Sequence, residues 1–134
     1  MGYITHSYKR YTVRPTTALT NSYVAATIDG TDGLPEETLN FNQLVLEIIL
    51  ALDTLTSAEV KVEFSEDKVT WYQETFSSIS SGTDTLSLGE HKMSASGNFI
   101  IDVPLLNRYV RISAKGTGAV GASTMSIKAI LGNT

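Results

Sequence analysis

Cysteine is absent from the 134 residues, which removes disulfides and thiolate-ligated zinc or iron together and sets the chain apart from small bridged scaffolds. No apolar run approaches the roughly 20 residues that span a bilayer. The longest, Leu44 to Leu52, is interrupted by Glu47 and reads as a core strand. The opening segment, Met1 to Arg10, carries no signal-peptide hydrophobic stretch, so the expectation is a protein made in a cytoplasm, with no membrane partner. Catalytic and nucleotide fingerprints (GxSxG, HExxH, the phosphate loop, the dinucleotide glycine pattern) do not occur. His6 and His91 sit in separate polar segments with no carboxylate or hydroxyl at relay spacing. Asp29, Asp32, Glu36 and Glu37 cluster in a loop, but two of them precede glycine, which is turn chemistry, and the spacing lacks the ligand series of an EF-hand. These absences predict a protein that is no enzyme and holds neither cofactor nor metal.

What charge there is has a direction. The net charge is −4, yet Lys9, Arg10 and Arg14 precede the first acidic residue, Asp29, and all 14 acidic residues follow Ile28. A body this acidic repels nucleic acid, which asks for Lys and Arg clustered on one face. The basic head reads as a docking arm.

Hydrophobic periodicity carries the fold. Val60, Val62 and Phe64 alternate with Glu59, Lys61 and Glu63, the period-2 signature of a half-buried strand. Ser65 to Lys68 supplies a polar reversal, and Trp71 to Ser78 is expected to return as the second strand of a central hairpin. Leu44, Ile48 and Leu52 also fit a helix, but β-prone Phe41, Val45, Ile48 and Ile49 favour a strand apolar enough to be covered on both faces. Ser77 to Thr85 reads as a polar loop, with a short strand through Leu86 and Leu88 after it. Further strands are expected at Asn98 to Val103, Tyr109 to Lys115 and Thr124 to Leu131. Residues 1–21 read as an extended N-terminal arm, pairing as an edge strand near Tyr11 to Arg14, and residues 22–134 as the domain proper. The sum is all-β, an antiparallel β-sandwich or jelly roll of about seven to nine strands.

Two stretches, Val62-Glu63-Phe64-Ser65-Glu66-Asp67-Lys68-Val69-Thr70-Trp71-Tyr72 and Arg108-Tyr109-Val110-Arg111-Ile112-Ser113-Ala114-Lys115-Gly116-Thr117-Gly118, come between the Leu44 to Leu52 strand and Ser126-Ile127-Lys128-Ala129. In that order the chain resembles small β-sandwich virion structural proteins of tailed bacteriophages, of the capsid decoration or cement type. The resemblance implies a homotrimer in the virion, assembled in the host cytoplasm, with the major capsid protein or other virion proteins as partners. The same stretches are similar to discoidin-like carbohydrate-binding modules, whose strand is followed by a Ser-Asp-Asp-Gly-x-x-Trp turn; here Lys68 stands where that family has glycine. A phage tail or head-tail component is a further alternative.

Each reading names its residues. For a decoration protein the contact set is the arm, Tyr3, Tyr8, Lys9, Arg10, Tyr11 and Arg14, because Tyr and Arg anchor interfaces and the charge suits an acidic shell. Deleting residues 2–14 is then expected to abolish binding and leave the sandwich folded. For a sugar-binding module the patch is Trp71, Tyr72 and Arg111. The plainer expectation for Trp71 is packing across the sandwich, and for Arg111 pairing with Glu59 or Glu63.

Overall fold

The computed structural model describes residues 7–28, 31–35 and 37–133. Its strands are β1 (Ser7–Ala18), β2 (Val24–Ala25), β3 (Thr27–Ile28), β4 (Thr31–Asp32), β5 (Gln43–Ala51), β6 (Leu55–Ser65), β7 (Tyr72–Gln73), β8 (Thr75–Ser80), β9 (Thr83–Leu88), β10 (His91–Met93), β11 (Gly97–Val103), β12 (Tyr109–Gly118) and β13 (Thr124–Asn133). Sheet A has the order β1-β13-β5-β11, and sheet B has the order β10-β6-β12-β2 with β7 added beside β6. Every strand pair in both sheets is antiparallel. The expected antiparallel β-sandwich is therefore what the chain forms.

Alternation explains the packing. Ile48 lies between Ile127 on β13 and Phe99 on β11, and Leu46 between Ala129 and Ile101, so apolar rows run straight across sheet A. Sheet B answers with Val60, Val62 and Phe64 opposite Ala114, Ile112 and Val110. These residues form one core, with Leu19, Leu34 and Leu55 joining it from the connections. Each fully buried aliphatic side chain contributes about 1.5–3 kcal/mol.

Two expectations about connectivity change. The partner of β6 along its length is β12, and the Trp71 to Ser78 segment reaches it through Tyr72 and Gln73 and the Glu74 N–H, which donates to the Val62 carbonyl (3.0 Å). Beyond Glu74 the same edge of β6 is taken by β10, with His91 opposite Val60 and Met93 opposite Ala58, and the chain leaves the sheet there. It then forms a separate hairpin, β8 and β9, where a polar loop was expected.

The N-terminal segment pairs at the sheet edge as expected near Tyr11 to Arg14, but over a longer stretch. Over Ser7–Ala18 it is the edge strand of sheet A, paired with β13 from Ser7 opposite Asn133 to Ala18 opposite Thr124. Val13 is part of the core and Tyr11 packs against it. The ladder slips on both sides of Arg14, which is where Pro15, having no N–H to give, is tolerated. Deleting residues 2–14 thus strips eight of the twelve residues of this edge strand and a core valine, so the truncated chain is expected to lose stability.

Arg14 holds this irregular stretch. Its Nε donates to the Met125 carbonyl (3.2 Å) and its Nη2 to those of Ala18 (2.7 Å) and Thr17 (3.3 Å). Partial burial lowers its pKa from the ordinary guanidinium value. We expect Arg14→Ala to cost about 1.5–3 kcal/mol in urea denaturation, the range for hydrogen bonds from a charged donor, with Lys9→Ala, on an exposed side chain, within about 0.5 kcal/mol of wild type.

Candidate functional site

The two outer faces of the sandwich are unlike. On sheet B, the outward residues of β6 are charged, yet Glu59 and Glu63 are only 5% and 8% exposed. Connections carrying Tyr23 and Trp71 lie over them. Glu63 Oε1 accepts from Arg111 Nε (3.2 Å) and Nη2 (3.0 Å), and Lys61 Nζ stands 3.7 Å from the same oxygen. The Arg111 guanidinium lies 4.4 Å from the Trp71 ring centre. Glu59 accepts from Ser57 Oγ (2.7 Å) and Thr117 Oγ1 (2.9 Å). Lys61 and Lys115 both stack on Tyr23, at 4.7 and 4.8 Å. Burial, with Glu90 and Glu59 nearby, pushes the Tyr23 phenol well above its ordinary pKa. This face is a sealed polar layer in which each charge has a partner, as buried charges require.

That arrangement bears on the sugar-binding patch. Trp71 and Arg111 do come together, but on each other: the ring covers the guanidinium and the guanidinium is engaged by Glu63. Tyr72 pairs with inward-facing Phe64 in the ladder and so lies on the other side of the strand from Glu63 and its cover. Trp71 packs over the outside of sheet B, against Gly33, and not between the sheets.

The turn feeding Trp71 into place depends on Asp67. Its Oδ1 accepts from the Val69 N–H (2.9 Å), the Thr70 N–H (3.0 Å) and the Ser65 hydroxyl (3.1 Å). The Thr70 and Val69 bonds hold its pKa below the ordinary carboxylate value. A pKa depressed in the folded state gives stability that is fully present above the unfolded value and lost as pH falls through the folded one. Trp71 fluorescence is therefore expected to change as pH drops below about 4. In Asp67→Asn, which has no carboxylate to titrate, that acid-side change should be reduced.

Sheet A presents the opposite case, because no described element covers its outer face. Ile49 on β5 and Ile100 on β11 are 59% and 72% exposed. They border an open groove of about 290 Å³ whose lining includes Phe99, Ser126, Glu47 and Lys128. Glu47 is paired in register with Lys128 on one side and Ile100 on the other. Along β1, Tyr8 and Arg10 are opposite Gly132 and Ile130, which puts them at the margin of this same face.

A second uncovered surface is the β8–β9 hairpin. Ser81 and Gly82, both at positive φ (51° and 79°), form its two-residue turn, the geometry that matches strand twist. The pairs Ile79 with Asp84, Ser77 with Leu86 and Thr75 with Leu88 share one side of the ribbon. Ile79, Leu86 and Leu88 are all exposed, as is Phe76 on the reverse side. The base is better held: Gly89 N–H donates to the Glu74 carbonyl (2.7 Å), Gln73 Nε2 donates to the Gly89 carbonyl (2.8 Å), and the buried Glu74 carboxylate binds His91.

Of the expected contact residues, Tyr8, Lys9 and Arg10 are exposed on β1, Tyr11 is half-buried against the core, and Arg14 is engaged by backbone carbonyls. Tyr3 lies outside the described residues, as do His6, Asp29 and Glu36. Among the described residues no group of three or more histidine, aspartate and glutamate side chains is placed to hold a metal. The groove and the hairpin were not singled out from sequence. The available signals were outward-phase Ile49 and Ile100, and a Ser-Gly pair set between Ile79 and Leu86.

No protein-family model matches the chain, and no curated protein sequence matches it.

Proposed function

We propose that the protein is a non-enzymatic structural component of a larger protein assembly, a bacteriophage virion protein of the capsid decoration type. The observation that carries this reading is the pairing of a closed sandwich with two apolar surfaces, the β8–β9 hairpin and the outer groove of sheet A, that none of the described residues covers. Monomeric soluble proteins seldom leave apolar patches beyond a few hundred Å² open, and larger ones mark protein contacts. The sequence resemblance described above supplies the virion context. Exposed Tyr8, Lys9 and Arg10 on the free edge of β1 offer aromatic and cationic contacts to an acidic shell. A protein that binds the assembled shell and not its separated subunits stabilises the shell by mass action.

The test adds purified protein to shells assembled from the major capsid protein encoded near its gene, followed by sedimentation. The expected result is saturable co-sedimentation at a fixed ratio and a raised shell melting temperature. A Tyr8→Ala, Arg10→Ala double variant, changed only on exposed side chains, should bind at least tenfold more weakly. Absence of co-sedimentation, or of any capsid gene nearby, overturns the proposal.

A further inference from the structure

We infer that the free edge of β11 takes an added strand: an extended segment of a partner protein, apolar on the side that faces the core and basic beside Asp102. The inference concerns the edge of sheet A opposite to β1, and it stands whether or not the partner is a virion shell. Three observations lead to it.

First, this edge is unguarded. A strand at the rim of a sheet offers unpaired N–H and C=O groups along one side, and proteins blunt such rims with bulges, proline, lysine or very short strands. β1 carries these devices: its ladder slips twice, around Arg14 and Pro15, and Lys9 and Arg10 lie on it. Sheet B ends in β2 on one side and in β7 and β10 on the other, strands of two or three residues. β11 is built differently. Its seven residues pair with β5 without a slip, from Gly97 opposite Leu50 to Val103 opposite Leu44. Among the described residues no strand pairs with its other side, and Pro104 comes only after its last residue.

Second, the core stops short there. On β5 the inward Leu46 and Ile48 are 0% and 1% exposed. Their neighbours on β11, Ile101 and Phe99, face the same way and pack against the core, yet stay only half-buried. A strand laid beside β11 would bring its own inward residues against these two and finish the row. Burial of that apolar surface favours the added strand, and the ladder of main-chain hydrogen bonds fixes its register.

Third, charge selects the occupant. The outward residues of β11 are Asn98, Ile100 and Asp102, all exposed. Of the two carboxylates near this rim, Glu47 has Lys128 beside it on β13, whereas Asp102 stands opposite Val45 with no described cation across the ladder. An incoming strand that sets Lys or Arg opposite Asp102 and an aliphatic residue opposite Ile100 makes two favourable cross-strand pairs. A second β11 would bring another aspartate and no cation, so the segment that fits comes from a different strand.

The test uses the full chain and a capped peptide, Thr-Lys-Val-Ile-Val-Thr-Thr, whose antiparallel register sets its Lys opposite Asp102, its Ile opposite Ile100 and its two Val opposite Ile101 and Phe99. Amide NMR is expected to show shifts and slowed exchange over Gly97–Val103 and the adjoining part of β5, with β1 unmoved. Replacing the peptide Lys by Glu should weaken binding about two- to fivefold, the worth of one cross-strand charge pair. Asp102→Lys, on an exposed side chain, should reverse that preference with unchanged circular dichroism. N-methylation of alternate peptide amides should abolish binding for the set that faces β11 and spare it for the set that faces solvent. No shift at millimolar peptide overturns the inference, as does equal binding of both N-methylated peptides or of the Lys and Glu peptides. So does a free protein that sediments as a dimer with β11 amides already protected, which assigns this edge to a second copy. None of these outcomes depends on shell binding, so the two proposals fail separately.

Discussion

Arg111→Ala should lower the unfolding free energy by about 3 kcal/mol, near the lower end of the 3–5 kcal/mol seen when one member of a buried ion pair is removed. Glu63, 8% exposed, loses two hydrogen bonds from the guanidinium and keeps, among the described residues, Lys61 Nζ at 3.7 Å. Trp71 loses the planar cation beneath it. Urea denaturation of the purified variant measures the effect. Arg111→Lys should recover a minority of it, since an ammonium cannot give the same oxygen two donors from one plane. The measurement also separates two accounts of this face. If Trp71 and Arg111 formed an open sugar site, alanine at 111 would leave stability within about 0.5 kcal/mol of wild type, as for an exposed side chain.

Gly33→Ala is expected to be more damaging, by about 4 kcal/mol. Gly33 has φ of +82°, and a Cβ there would stand 2.5 Å from the Val110 carbonyl oxygen and 3.3 Å from the edge of the Trp71 ring. The left-handed conformation alone costs an L-residue about 1–2 kcal/mol. The collision is with backbone, so relief means moving the strand or the loop. The Val110 oxygen accepts from the Leu34 N–H at 3.0 Å, so a shifted loop loses that bond and draws fully buried Leu34 from the core. Domains of this size have about 5–15 kcal/mol in total. The variant should therefore melt far below wild type, and a melting temperature within a few degrees of wild type would contradict this account.

The sandwich was legible because its inner rows are regular. Val60, Val62 and Phe64 announce their face by alternation, and burial enforces the register they imply; Leu44 to Leu52 reads instead as covered on both faces, whereas Ile49 on its outer side is 59% exposed. The pairing of Arg111 with Glu63 was legible for the same reason, as outward neighbours on adjacent strands. What alternation does not encode is which strand lies beside which. Trp71 to Ser78 follows β6 in sequence, but the long partner of β6 is β12, a residue span away, and only the completed packing decides that. The hairpin was hidden by composition: Ser77, Ser78, Ser80 and Thr83 look like loop, although Ser81-Gly82 is a sound turn signal. The sealed layer on sheet B was hidden because charges on an outward phase read as solvated, and the cover comes from connections distant in the chain. The candidate surfaces were legible only in part. Tyr8 and Arg10 stood out by type, whereas Ile49 was taken into a strand covered on both faces.

The position of β13 has a consequence for synthesis. It lies between β1 and β5 in sheet A, yet it is the last of these strands to leave the ribosome. Until Thr124–Asn133 emerges, β1 lacks its pairing strand in sheet A and β5 presents an open edge next to its apolar row. Sheet A is thus completed only after nearly all of the described chain has been made, by pairing residues as far apart as Ser7 and Asn133. Long-range closure of this kind is slow and leaves strand edges exposed meanwhile. Nascent chains stalled before Thr124 should accordingly remain protease-sensitive, and resistance should appear in one step once β13 is free to insert.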